Sequence, residues 1–233
     1  MKKRADLADD GNWLKYAKME NQPVDDSLIV RDNFELVTRT GPRLAEVNLN
    51  PRCTQIDMNN DKLVMEFRQR WEDDQKRWGR IMPLTEDTVL MILKGHLLIE
   101  EQFQGIINEW VNNPSALEDA RLTFIQKLRL SNAIGGYLSR PVIWETAREV
   151  NSIRNHLAHQ AEPKNIKEKL ESLFAQCCLN DRYLPVKEAT SLSARLYLTL
   201  GITWASLSGV RDSVGIIHAN VWPSKRVSRS SQK

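Results

Sequence analysis

The feature that most restricts the fold is an apolar run at helical spacing between residues 85 and 110. Val89, Leu93, Leu97 or Ile99, Phe103, Ile106, Ile107 and Trp110 recur in step with a helix. At 3.6 residues per turn they hold one face for about seven turns. A half-buried strand needs strict alternation of apolar and polar residues, and no stretch of this chain alternates long enough to build a sheet. A helix with such a stripe must bury it against other helices. Hydrophobic residues make up 41% of the 233 positions, which supplies a core and argues against global disorder.

The flanking segments repeat the pattern. From about Asp61, Leu63, Val64, Phe67, Trp71 and Trp78 fall at helical spacings, and Pro83 closes the segment. Thr85 reads as the N-cap of the long helix, with Glu86 and Asp87 in its first turn. Asn112, Asn113 and Pro114 end it. Ser115-Ala116-Leu117-Glu118 matches a capping box opening a second helix, with Phe124 and Leu128 on its face. Gly135, Gly136 and Pro141 punctuate the turn after it. A third helix from about Val142 carries Ile143, Ala147, Val150, Ile153 and Leu157, and stops before Pro163. A fourth uses Ile166, Leu170, Leu173 or Phe174, and Cys177. A fifth spans about Val186 to Gly209. The fold class is therefore all-α: a bundle of four or five helices over residues 84–210. Residues 1–80 form an N-terminal extension of unknown role, broken by Pro23, Gly41, Pro42 and Pro51, with one short helix expected near Trp13–Met19. Residues 211–233 form a basic tail, read as mobile. Residues 181–233 hold eight basic and three acidic side chains, a balance that attracts nucleic acid or merely solubilises.

Several classes are excluded. No stretch of about 18 apolar residues runs without a charge, so no membrane span or membrane partner is expected. The opening MKKRADLADD lacks the apolar core of a secretory signal. Cys53, Cys177 and Cys178 are odd in number and form no CxxC pair, so neither a disulfide framework nor a zinc ribbon fits. A reducing cytoplasm is the expected location. Glycine-rich phosphate loops, GxSxG and HExxH are absent, so no cofactor is expected. His156 and His159 are three apart but lack a third ligand nearby, so no metal site is expected either. His218 reads as structural. The tryptophans at 71, 78, 110, 144 and 204 read as core or interface residues. Arg68, Arg70, Arg77 and Arg80 lie in a mixed-sign stretch read as a solvated face, and are secondary candidates for contact with an RNA backbone.

One cluster carries chemistry: Asn151-Ser152-Ile153-Arg154-Asn155-His156-Leu157-Ala158-His159. Arginine presents a planar fork that grips phosphate oxygens in pairs. An imidazole gives or takes a proton near neutrality. A phosphodiester undergoing attack by a 2′-hydroxyl needs both services. On a helix, however, positions i and i+5 stand about 140° apart. Arg154 and His159 converge only if the helix ends or bends between them, or if two copies face each other. The competing reading is a satisfied helix terminus. Glu100 lies on the inward stripe of the long helix with His96 and Phe103. Burying a lone carboxylate costs several kcal/mol, so Glu100 is expected either to fix the Arg154 fork or to flank the stripe in solvent. Glu101 is expected to face outward.

This string resembles the R-x4–6-H signature of the HEPN superfamily, in which a polar residue follows the Arg. Here it reads Arg154, Asn155, His159. GHLLIEEQF, LTFIQKLRLSNAIGG and WETAREVNSIRNHLAH, in that order, extend the resemblance over about residues 84–210. It implies a helical bundle that forms a homodimer, with the two motifs facing each other across a composite cleft. It implies metal-independent endoribonuclease activity that leaves a 2′,3′-cyclic phosphate, in a toxin or antiviral defence effector. His159 is then the acid/base residue, Arg154 stabilises the phosphate and Asn155 orients or polarises; apart from the resemblance, Glu100 and His156 are supporting candidates. RNA is the implied substrate, and an antitoxin or a defence complex the implied partner. The HepT-type toxins carry Tyr two residues after the motif His, where this chain has Ala161, so regulation at that position is not implied. Some relatives, such as the mannitol operon repressors, share the helical core without cleaving. A non-cleaving regulator or RNA binder, and a helical adaptor, are thus the alternatives.

Overall fold

The computed structural model describes residues 61–85, 87–117, 119–159, 165–177, 186–187 and 189–221. The expected helix near Trp13–Met19, Pro163, and the tail from residue 222 onward lie outside the described residues. Among the described residues there are six α-helices and no strand: α1 (Asp61–Ile81), α2 (Thr88–Trp110), α3 (Phe124–Gly135), α4 (Pro141–His159), α5 (Ile166–Cys177) and α6 (Leu192–Val221). Short 3-10 turns at Pro114–Leu117 and Gly136–Leu138 join α2 to α3 and α3 to α4. The fold is all-α, as the periodicity requires.

α6 is the hub. Every residue from Leu196 to Val210 is buried, the mark of a helix enclosed on all sides. Three of its hydroxyls are satisfied within the helix: Thr199 Oγ1 donates to Arg195 O at 2.8 Å, Thr203 to Thr199 O at 2.8 Å and Ser213 to Gly209 O at 2.8 Å. α2 lies closest along it. At Gly95 an added Cβ would sit 2.7 Å from Leu200 Cδ1, so this close approach depends on glycine. α3, α4 and α5 complete the core with Leu128, Ile143, Trp144, Val150, Ile153, Leu170 and Phe174. Ser131 Oγ donates to Phe103 O at 3.0 Å, tying α3 to α2.

α1 packs on the hub through long side chains. Trp78 is fully buried, its ring 4.9 Å from that of Trp204, and its Nε1 donates to Tyr197 Oη at 3.0 Å. Trp71 stacks on Trp204 at 6.0 Å. Burial of such rings stabilises by several kcal/mol.

Four helix starts differ from expectation. Asp87, not Thr85, caps α2, its side chain accepting from Leu90 N at 2.9 Å; the Thr85 hydroxyl accepts instead from Asp87 N. The capping box belongs to Thr123 and Gln126, not to Ser115, so α3 starts at Phe124. Ser115 turns its hydroxyl to Asn113 Oδ1 at 2.6 Å within the connecting turn. Pro141 opens α4 as its first residue, where its missing N–H costs nothing. α6 starts later and runs further than the expected fifth helix, to Val221, so His218 lies inside it, 5.9 Å from the Trp110 ring.

Candidate functional site

α4 presents Asn151, Arg154, Asn155, His156 and His159 on its last turns. Ile143, Ala147, Val150 and Ile153 bury the helix and set its rotation. Asn151 is buried with them; Arg154, Asn155 and His156 are half-buried, and His159 is exposed. Arg154 Nη1 donates to Asn155 Oδ1 at 3.1 Å, and among the described residues this is the one hydrogen bond of that guanidinium. The structure therefore brings Arg154 and Asn155 together. α4 runs unbroken through His159, so within one chain about 140° of helix separates Arg154 from His159. The bend that would have united them in a single copy is not there.

Glu100 does not fix Arg154. It is half-buried on α2 and accepts from Lys127 Nζ of α3 at 2.9 Å. Lys127 lies on the neighbouring helix in sequence and reaches the carboxylate first. Glu101 faces outward and accepts from Arg77 at 2.8 Å.

The polar partner that α2 does send to α4 is His96. It is only 5% exposed, its ring stacks on Phe124 with centroids 4.3 Å apart, and its Nε2 lies 3.0 Å from Asn151 Oδ1. Burial lowers its pKa below 6.5 against the Asn151 hydrogen bond and the Glu100 charge, and the Arg154 charge lowers it further. The ring is therefore neutral at physiological pH. With the amide oxygen facing it, Nε2 is the protonated nitrogen and donates. Sequence reading placed His96 on the stripe and Asn151 in the α4 cluster but did not pair them. The signal was an amide in step with Ala147, Val150 and Ile153, a poor choice for a helix interior unless it has a partner.

A second polar cluster joins α1, α2 and α6, and sequence reading missed it. Arg211 Nη2 donates to Asp74 Oδ2 at 2.7 Å and to Asp212 Oδ1 at 3.1 Å, and Nη1 donates to Gln102 Oε1 at 3.2 Å. Ser208 Oγ donates to Asp74 Oδ2 at 3.2 Å. Arg70 Nη1 donates to Glu109 Oε1 at 2.8 Å and lies 3.6 Å from Asp212. Arg70 and Arg77 are thus committed to carboxylates of this fold, while Arg68 and Arg80 stay exposed. Burial raises the Asp212 pKa to about 6, although the Arg211 and Arg70 charges pull it down. The signal in the sequence was Arg211-Asp212 standing inside an otherwise apolar run.

Among the described residues no group of three His, Cys, Asp or Glu side chains could hold a metal ion. No described helix is long and apolar enough to cross a membrane. No family model, curated protein or solved structure matches the chain.

Proposed function

We propose that the chain is a metal-independent endoribonuclease of HEPN type, acting as a toxin or antiviral defence effector through Arg154, Asn155 and His159. The observation that supports this best is the Arg154 fork. It is half-buried and aligned by Asn155, and an exposed imidazole follows it on the same helix end. The fork holds the non-bridging oxygens of a phosphodiester as phosphorus becomes pentacoordinate. One imidazole takes the 2′-hydroxyl proton as that oxygen attacks phosphorus. An imidazolium gives a proton to the departing 5′ oxygen. The products are a 2′,3′-cyclic phosphate and a 5′-hydroxyl. Because Arg154 and His159 diverge on α4, the reading needs a second copy, with Arg154 of one protomer and His159 of the other on one phosphate. An antitoxin or a defence complex is the partner that restrains it.

The test is the full chain incubated with single-stranded RNA and tRNA in the presence of a chelator. Cleavage with cyclic phosphate ends, lost in His159→Ala and in Arg154→Ala, is the expected result. Cleavage that requires metal, or RNA left whole, overturns the reading. A second reading, a non-cleaving HEPN-fold regulator or RNA binder, is favoured by the unbroken course of α4 through His159. RNA bound but uncut, with binding weakened by Arg154→Ala, selects it.

A further inference from the structure

We infer that His96 is a positioning residue for Arg154 and Asn155, acting through Asn151. The inference rests on the α4 terminus being the working site, and it concerns how that site is held.

Three observations carry it. First, Asn151, Arg154 and Asn155 stand at i, i+3 and i+4 on α4, a single stripe one turn apart. A contact that fixes Asn151 sets the rotation of the turn that bears the guanidinium. Second, the contact joins two buried polar groups in a core otherwise built from Ile92, Ile99, Phe103, Val150 and Ile153. An apolar pair of the same volume would pack as well without desolvating an imidazole and an amide. A buried hydrogen bond between two helices differs from an apolar contact in allowing one register only. Third, the ring is itself held. Phe124 of α3 covers one face at 4.3 Å, which orients Nε2 toward Asn151. The charged groups around it are Glu100 on its own helix, neutralised by Lys127 of α3, and Arg154 of α4. The guanidinium that is positioned thereby also disfavours a charge on the residue that positions it.

Three consequences separate this role from plain core packing. His96→Leu keeps the apolar fill and removes the hydrogen bond. His96→Gln keeps a donor to Asn151. Asn151→Leu removes the same contact from the α4 side and decides the matter where His96→Leu fails to fold. Amide hydrogen exchange is measured on each full-length variant, resolved by helix. The expected result is exchange at residues 154–159 faster by at least tenfold in His96→Leu and in Asn151→Leu. Rates in α6 stay unchanged, and His96→Gln returns most of the protection. RNA cleavage by the same proteins is expected to lose at least tenfold in kcat with KM nearly constant. Exchange unchanged at 154–159, or raised evenly across all helices, overturns the inference. Should the wild-type chain leave RNA whole, the ribonuclease reading falls, while the exchange pattern still decides whether His96 positions the α4 terminus.

Discussion

The two polar clusters that flank α2 are built on different terms. Around Arg211, two guanidiniums meet three carboxylates, a buried amide and a hydroxyl, and the arginine side chain is only 11% exposed. Around Arg154, one guanidinium meets one amide from its own helix. The first arrangement spends its hydrogen-bonding capacity inside the fold, joining α1 to α2 and α6. The second leaves donors on a half-buried fork. A fork saturated by its own protein is a structural device; one left under-partnered is suited to a ligand with anionic oxygens. The difference explains why Arg70 and Arg77 of α1, already paired with Glu109 and Glu101, are weaker candidates for RNA contact than Arg154.

The largest expected effect breaks the saturated cluster. Arg211→Ala leaves the half-buried Asp74 without its cation and Asp212 with Arg70 alone at 3.6 Å, at a cost of roughly 3–5 kcal/mol. Thermal or denaturant unfolding measures it, and a loss below about 1 kcal/mol would show that water replaces the guanidinium. The clusters should also differ in pH response. Asp212 has a folded pKa of about 6 against 3.8 unfolded, raised first by burial. The folded state therefore keeps a proton that the unfolded chain releases. Stability from this group is complete below 3.8 and is lost as pH rises to about 6, by at most roughly 3 kcal/mol. His96 has the opposite sign. Its pKa is lowered in the fold, first by burial, so stability is complete above 6.5 and is lost as pH falls toward the folded value. Asp212→Asn should remove the first slope and leave the second, as read by unfolding titrations from pH 4 to pH 7.5.

A smaller effect sharpens the contrast by geometry. Arg211 crosses α2 at Gly105, where an added Cβ would lie 2.6 Å from Arg211 Cδ. Gly105→Ala must push the middle of that side chain out of its bonds to Asp74 and Gln102. A loss of about 1–3 kcal/mol is expected, together with weaker protection of α1 amides. If α1 keeps its protection, the network tolerates displacement.

The apolar frame was legible because a helical stripe is a local property: Phe103, Ile106 and Ile107 declare their face whatever they pack against. Trp78, Trp144 and Trp204 likewise went to the core as aromatic residues on such stripes do. The caps were less legible. Thr85 and Asp87 both suit an N-cap, and the choice depends on where the chain leaves α1. Pairings across helices were least legible. Glu100 has many basic residues to choose from in sequence, and Lys127 wins because α3 packs along α2 and brings it alongside. Arg211 and Asp212 announced themselves as a charged pair in an apolar run, but nothing local indicated that Asp74 and Arg70 of α1 would meet them. The divergence of Arg154 and His159 depends on whether α4 bends before His159, which side-chain pattern alone did not decide.

The smallest expected effect is the most informative about the under-partnered cluster. Arg154→Ala removes one hydrogen bond to an adjacent residue on the same helix and leaves no buried carboxylate behind. Its cost in stability should stay within about 1 kcal/mol, several-fold below that of Arg211→Ala. The same substitution removes a positive charge that lowers the His96 pKa. The imidazole should then titrate closer to 6.5, as followed by the ring-proton chemical shifts of His96 in the variant and in the wild type. A stability loss as large as that of Arg211→Ala would mean that the Arg154 fork belongs to the fold, and would remove the physical ground for assigning it a ligand. An unshifted His96 would place the guanidinium too far from Asn151 for the two to act as one unit.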